Sequence, residues 1–300
     1  MDWRSASKGF EAYLRLEKSL ANNSVESYLR DVAKLASYYS EDNYKPPLEL
    51  TYDELSAFIQ EVSQIGYANT SQARLLSSIK AFYKYLLLED AIDLNPASFL
   101  EAPRITRKLP EVLSHVEIEQ MLNAIDLHTP SGLRNKAIIE TMYSCGLRVS
   151  EVINLEIANV YFDEDMIKVL GKGNKERFVP IGKSALRQIE LYVNEIRNHQ
   201  SITLKGEKVL FLNNRGNGLS RVMVFYIIKD LAKLVGIEKS VSPHTFRHSF
   251  ATELVNAGAN LRAVQQMLGH ESITTTEIYT HLDKQYLRDT IEMFHPRARK

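Results

Sequence analysis

The 300-residue chain has one cysteine, Cys145, and one tryptophan. A single cysteine excludes a disulfide framework and a cysteine-rich zinc site. Its apolar neighbours Met142, Tyr143 and Leu147 point to a buried thiol in a reducing compartment. No stretch reaches the roughly 18 consecutive apolar residues of a membrane span. The opening residues 1–10 carry no apolar signal core. A cytoplasmic protein with no membrane partner is therefore expected. Net charge is missing too, with 37 Lys+Arg against 37 Asp+Glu, so the total does not announce nucleic acid. A phosphate loop of the Gly-x4-Gly-Lys-Ser/Thr kind is also absent.

What is present is an ordinary folded composition, 44% hydrophobic and 25% charged, which excludes wholesale disorder. The length is comfortable for two domains. Charge divides unevenly along it. Up to Pro103 there are 10 Lys+Arg against 15 Asp+Glu, leaving 27 against 22 for the remainder of the 37 and 37. That mild asymmetry favours a polyanion partner for the second part only if the cations cluster locally.

Helical periodicity runs through 7–20 and 24–40, the latter capped by Asn23 or Ser24. Lys-Pro-Pro (45–47) breaks the chain. Thr51 caps a helix ending near Ile65 and Gly66, and Thr70 or Ser71 caps another that runs to about Glu89. Residues 1–102 thus read as a small all-helical domain. Residues 103–110 put three cations between two prolines, which reads as a basic extended linker. The second domain, 111–300, opens on a helix with Ser114 and Glu117 as a capping box, followed by a helix over 131–144. Strands over 166–170 and 176–181 flank a hairpin turn at 171–175. Helices follow at 183–199, 220–235, 245–257, 260–268, 272–281 and 284–294. The fold class is mainly α with one small antiparallel sheet.

Four places collect chemistry. His-Thr-Phe-Arg-His (244–248) puts His244 and Arg247 three apart on one helix face, after Pro243. A planar guanidinium can hold two phosphate oxygens, and an imidazole beside it can carry a proton. His244 and His248 also have a metal-ligand spacing, but a zinc site needs a third ligand and usually a carboxylate base, and the arginine inside this motif is unfavourable beside Zn²⁺. His248 is read as a packing residue. In Cys-Gly-Leu-Arg-Val-Ser-Glu (145–151), Gly146 ends a helix and leaves Arg148 at a turn, before a short helix that Ser150 can begin. The plainer reading pairs Arg148 with Glu151. Lys172 sits between glycines at the hairpin tip, where a solvated turn lysine is the ordinary reading. Tyr279 follows His270 by nine residues; as one of 15 tyrosines, nothing intrinsic marks it as a nucleophile.

Taken together these pieces resemble the tyrosine recombinase/phage integrase family, and the Xer recombinases within it. The resemblance rests on Gly-Leu-Arg-Val-Ser-Glu (146–151), Gly-Lys-Gly-Asn-Lys-Glu-Arg (171–177), His-Thr-Phe-Arg-His-Ser-Phe-Ala-Thr (244–252), Leu-Gly-His (268–270) and Ile-Tyr-Thr-His (278–281). All six catalytic positions of the family pattern are filled, in order. The resemblance also covers the first hundred residues, which look like the family's helical core-binding (SAM-like) domain.

The resemblance implies a site-specific recombinase that needs no cofactor, metal or ATP. Tyr279 would attack the scissile phosphate, giving a 3′-phosphotyrosyl link and, after exchange, a Holliday junction. Arg148 and Arg247 would clamp the non-bridging oxygens and His270 would add a hydrogen bond. Lys172 would protonate the leaving 5′-oxygen, and His244 would assist proton transfer at the tyrosine. The partner would be double-stranded DNA with a specific core site, held in a clamp of both domains. Phosphate contacts are expected from Arg30, Lys34, Arg74, Lys80 and Lys84 in the helical domain, with Ser27, Ser77 and Ser78 beside them. Arg107 and Lys108 in the linker and Lys175, Arg177, Arg221 and Lys229 in the second domain complete the set.

The last helix, 284–294, with Tyr286, Leu287, Ile291, Met293 and Phe294, could pack locally. The resemblance implies docking into a neighbouring subunit of a synaptic homo- or hetero-tetramer, with a second Xer recombinase and a DNA translocase as candidate partners. The implied role is resolution of chromosome or plasmid dimers at cell division. Rivals are a mobile-element integrase, a catalytically silent DNA-binding regulator and a metal hydrolase. The intact catalytic set argues against the regulator. The absence of an extra arm-binding domain at the N-terminus favours Xer over a mobile-element integrase.

Overall fold

The computed structural model describes residues 1–39, 44–103, 111–171, 175–269 and 284–297, with backbone alone for 284–286. The chain divides into two compact units, Met1–Lys108 and Leu109–Lys300.

The first unit is helical: α1 (Trp3–Leu16), α2 (Asn22–Tyr38), α3 (Tyr52–Gln64) and α4 (Asn69–Leu88). Only one of its expected caps is made by the residue the sequence suggests. Thr51 accepts from the Glu54 N–H and Glu54 answers to the Thr51 N–H at 2.8 Å, a capping box. Helix α1 starts four residues earlier than its periodicity suggests, because Asp2 caps it. Helices α2 and α4 begin after Ala21 and Ala68, neither of which caps with its side chain, so Asn23, Ser24, Thr70 and Ser71 lie inside helices instead of before them.

The core of this unit is aromatic, with Trp3, Phe10, Tyr13, Phe82 and Tyr85 packed together. Gly9 is required there. A Cβ at that position would lie 2.0 Å from the Tyr85 hydroxyl, so α1 and α4 approach closely only without one. Between α2 and α4, the fully buried Asp31 accepts from Ser78 at 2.9 Å and pairs with Arg74, with Lys34 at 3.8 Å.

The second unit begins with α5 (His115–Asn123), capped by Ser114 and Glu117 as the sequence suggests, then α6 (Pro130–Cys145) and α7 (Val149–Ile153). The sheet has three antiparallel strands in the order β1 (Val160–Tyr161), β2 (Met166–Leu170), β3 (Glu176–Pro180). The two-residue β1 is too short to leave a periodic signature. In the β2–β3 register Ile167 faces Val179 and Val169 faces Arg177. Helices α8 (Lys183–Glu195), α9 (Arg221–Leu234), α10 (Pro243–Asn256), α11 (Leu261–Leu268) and α12 (Lys284–Phe294) follow. The expected helix over 272–281 lies outside the described residues. Helix α6 is buried nearly all round, including Ile138, Ile139, Met142, Tyr143 and Cys145, and it is the axis of this unit's main core.

Helix α12 packs on its own domain. Leu287 and Ile291 are buried in a cluster with Phe250 and Leu254 of α10 and with Met267 and Leu268 of α11. The apolar face that the resemblance assigns to a neighbouring subunit is therefore covered locally in the single chain, while Met293 stays exposed. Beyond α12, His295 is fully buried, 4.8 Å from the Tyr143 ring and 5.4 Å from Phe250. Arg297 donates to Glu140 and Glu119, and to Ser184 at 3.0 Å. Glu140 is itself fully buried.

Burial, above all else, lowers the His295 imidazole to about 4. Its Nδ1 accepts the Arg297 backbone N–H at 3.2 Å, a bond that a protonated ring would lose. Because the folded-state value lies below the unfolded one, the unfolded chain binds the extra proton, and stability is lost as pH falls from about 6.5 toward about 4. The loss expected from His295 is on the order of 3 kcal/mol. Urea or thermal melting across that window should show a steep acid limb in the wild type and a flatter one in His295→Gln.

Candidate active site

The site is built where two helices end. Helix α6 terminates at Gly146 in a left-handed conformation (φ 59°), and a Cβ there would sit 2.4 Å from the Phe250 ring. The turn that follows throws Arg148 out to cap α7. This short helix begins at Val149, one residue before the expected Ser150. Glu151 then falls in its first turn, and its carboxylate reaches back to the Arg148 N–H at 2.8 Å. Helix α11 likewise ends at Gly269 in a left-handed turn, exposing the carbonyls of its last residues.

Arginines converge on these ends. Arg247, from α10, donates to the Gly146 carbonyl at 2.8 Å and to the Leu268 carbonyl. Arg148 donates to the Gly269 carbonyl at 3.2 Å and to Glu151 Oε1 at 2.9 Å. Arg177, from β3, donates to the Met267 carbonyl at 2.8 Å and grips Glu151 in bidentate fashion, at 2.8 and 3.0 Å. The Glu151 side chain is 2% exposed and its Oε2 lies 4.0 Å from Arg247. Cationic groups at helix C-termini are favourable because the unpaired carbonyls carry partial negative charge.

Burial works to raise the Glu151 carboxyl, but the hydrogen bonds and charge of Arg177, then those of Arg148, hold it below the usual carboxylate range. Glu151 is therefore ionised at neutral pH. Burial, and after it the nearby charge of Arg148, lowers the Arg247 guanidinium to about 10, so it too stays charged at neutral pH. Three guanidiniums around one carboxylate leave a surplus of two positive charges. The Arg148 side chain is 28% exposed and that of Arg247 is 8% exposed. This is a preorganised cationic cluster, partly open to solvent, of the kind that can receive an oxyanion.

Of the six residues proposed from the sequence, Arg148 and Arg247 are brought together at consecutive carbonyls, Gly269 and Leu268, just ahead of His270. His244 is exposed in the first turn of α10, one turn before Arg247. Lys172, His270 and Tyr279 lie outside the described residues. The plainer reading of Arg148 holds, since it pairs with Glu151, and the same side chain stands beside Arg247. His248 is exposed, so the expectation that it packs inward fails. Among the described residues no group of three His, Cys, Asp or Glu side chains could hold a metal ion.

The proposed phosphate contacts fall into two sets. Arg30, Lys84, Lys175, Arg221 and Lys229 are exposed, and Ser77 shares the outer side of α4 with Lys84. Arg74 is also exposed while it pairs with Asp31; Lys34 is half-buried, near Asp31 and 4.9 Å over the Tyr67 ring, and Lys80 reaches the Ser98 carbonyl at 3.3 Å. Ser78 is buried and serves Asp31. Arg177 is the clear correction. Its guanidinium is committed to Glu151 and Met267, and its side chain is only 14% exposed, so it is not a phosphate contact. Arg107 and Lys108 lie outside the described residues. The sequence reading missed the weight of Glu151, whose signal was its position three residues after Arg148 at a helix start.

Two family models match the chain, one within each unit. The family model described as Phage integrase family matches residues 111–286, and that of the Phage integrase, N-terminal SAM-like domain matches residues 8–90. The chain is 41% identical over 299 residues to the tyrosine recombinase XerD of Chlorobaculum tepidum, covering 99% of this chain and 98% of that protein. It is 37% identical over 290 residues to the tyrosine recombinase XerC of Anoxybacillus flavithermus, covering 96% and 97%. Among solved structures, XerA recombinase is 30% identical, with a TM-score of 0.51 over 99% of this chain and 100% of that one. The Tn1549 transposon integrase, solved with circular intermediate DNA, is 20% identical and shares the fold, with a TM-score of 0.71 over 90% and 92% of the two chains.

Removing one partner of a buried ion pair leaves an uncompensated charge and typically costs roughly 3–5 kcal/mol. Glu151→Ala should therefore destabilise the second unit by about that amount in urea denaturation. A substitution at the exposed Lys229 should leave the midpoint unchanged.

Proposed function

The chain belongs to the phage integrase family of tyrosine recombinases, and from that premise we propose that it cuts and rejoins DNA at a specific site through Tyr279. The observation that carries the reading is the pairing of Arg148 and Arg247 around Glu151, at the carbonyls that lead into His270. A phosphodiester brings one negative charge and gathers more on its equatorial oxygens as a nucleophile adds. The surplus of two positive charges matches that demand without a metal ion.

In this reading Arg148 and Arg247 take the non-bridging oxygens and His270 donates a further hydrogen bond. Tyr279 attacks phosphorus and becomes joined to the 3′-phosphate. Lys172 gives its proton to the departing 5′-oxygen, and His244 assists at the phenol, which is a weak nucleophile at its ordinary pKa of about 10. One phosphoester replaces another, so the exchange is nearly isoenergetic and needs no nucleotide. Rejoining is the same step reversed, with the 5′-hydroxyl of the partner strand as nucleophile.

The helical domain, 1–102, and the catalytic domain, 111–300, would grip the duplex from both sides, joined by the basic linker 103–110. The exposed Arg30, Lys84, Lys175, Arg221 and Lys229 are the phosphate contacts, with Arg107 and Lys108 in the linker. Recombination pairs two sites, which places four protomers on the DNA, as one kind of chain or with a second Xer recombinase. Exchange of α12 between protomers would require it to leave its local seat on α10 and α11. The likeness to XerD and XerC supports resolution of chromosome or plasmid dimers in the cytoplasm, with a DNA translocase as a candidate activator.

Incubation with a candidate site carrying a suicide nick tests the reading. Wild type should give a denaturant-resistant protein–DNA band, unchanged in EDTA, and Tyr279→Phe should give none. Loss of the band in EDTA, or its persistence in Tyr279→Phe, would contradict it. Arg221→Ala should weaken binding about equally across DNA sequences and reduce the salt slope by roughly one.

A further inference from the structure

The same register that pairs β2 with β3 places Arg177 opposite Val169 and two residues from the buried Val179. It therefore occupies the inward face of the hairpin, where an aliphatic residue would ordinarily stand. A half-buried guanidinium on that face needs partners, and each partner belongs to a different segment of the proposed site. Both oxygens of Glu151, which also holds Arg148, are on one side. The Met267 carbonyl, at the end of α11, receives its Nε–H at 2.8 Å.

Two glycines pack against the same guanidinium. A Cβ on Gly171 would lie 3.2 Å from Arg177 Nη1, and a Cβ on Gly269 would lie 3.1 Å from its Cζ. Gly171 immediately precedes Lys172, and Gly269 immediately precedes His270. Either methyl group would press on the guanidinium, and Gly269 in addition has φ +64°. The hairpin is closed just below by the Gly171 N–H to the Lys175 carbonyl at 2.8 Å. One side chain thus fixes the distance between the turn carrying Arg148, the strand leading from the proposed acid, and the helix end leading to the proposed phosphate donor.

Resting on the recombinase reading, we infer that Arg177 is a positioning residue for strand cleavage: it locks the hairpin and the end of α11 onto Glu151, and it contacts no DNA. Misplacement of a reacting group by about 1 Å can cost on the order of 10² in rate. Removing this lock should slow cleavage inside the bound complex while leaving the grip on DNA intact.

The experiment is single-turnover cleavage of the nicked suicide site at saturating protein, with the salt dependence of DNA affinity and the melting temperature measured alongside. Arg177→Gln should cleave on the order of 10²-fold more slowly, with an unchanged salt slope. Its rate should also fall away at a higher pH on the acid side, because Glu151 has lost its principal cation. Arg177→Gln combined with Glu151→Gln should be little slower than the worse single variant, since both act on one contact. Gly171→Ala, which keeps every charge, should also slow cleavage, and it serves if Arg177→Gln does not fold.

Wild-type cleavage rates in Arg177→Gln or in Gly171→Ala would overturn the inference, whatever the melting temperature. So would a salt slope reduced by about one, the mark of a lost phosphate contact, or full additivity with Glu151→Gln. Absence of any covalent adduct in the wild type would instead sink the recombinase reading itself.

Discussion

Everything around the site depends on one buried carboxylate. Glu151 sits where Arg148, Arg177 and Arg247 would otherwise repel one another, and its two oxygens receive the Arg148 backbone and guanidinium together with both arms of Arg177. A buried ion pair is poor evidence of net stability, since desolvation offsets much of the attraction. What it supplies here is placement. The carboxylate neutralises one guanidinium's worth of charge and lets two more stand close together.

The helix ends do the complementary work. Three guanidiniums satisfy the carbonyls of Gly146, Met267, Leu268 and Gly269, which the terminations of α6 and α11 leave without intrahelical partners. Left-handed glycines at 146 and 269 create both terminations, and a side chain at 146 would collide with Phe250. Local chain geometry and helix electrostatics thus converge on the same few residues. The apolar seat of α12 packs against α10 and α11, with His295 against Tyr143 and Arg297 on Glu140.

Much of this was legible in the residues. The capping boxes at Thr51 and Ser114, the break at Gly146 and the hairpin strands follow from local chemistry that tertiary contacts do not override. The start of α1 was not, because Asp2 caps it ahead of the apolar repeat, and those of α2 and α4 were not, because they follow Ala21 and Ala68, which offer no capping side chain. At the site, Arg148 and Arg247 were legible as a pair only through the resemblance, since they are about a hundred residues apart and meet through long-range contacts. Arg177 was misread because a basic residue near a hairpin tip suggests solvent and phosphate. The two-residue period of β3, which sets Arg177 on the side of Val179, carried the correct signal. The pairing of Arg74 and Lys34 with Asp31 was not legible, since that acid lies on the neighbouring turn or on another helix.

The central claim is that the guanidiniums are there to take up the charge of a phosphate. A DNA site whose scissile phosphate is replaced by a neutral methylphosphonate tests this most directly, with the cleavage rates of wild type and Arg148→Ala compared on both substrates. The expected result is that Arg148→Ala, slowed by roughly 10²–10³ on the natural phosphate, recovers most of that loss on the neutral one. An equal deficit on both substrates would mean that Arg148 only supports the fold, and it would contradict the phosphate-binding role of the cluster.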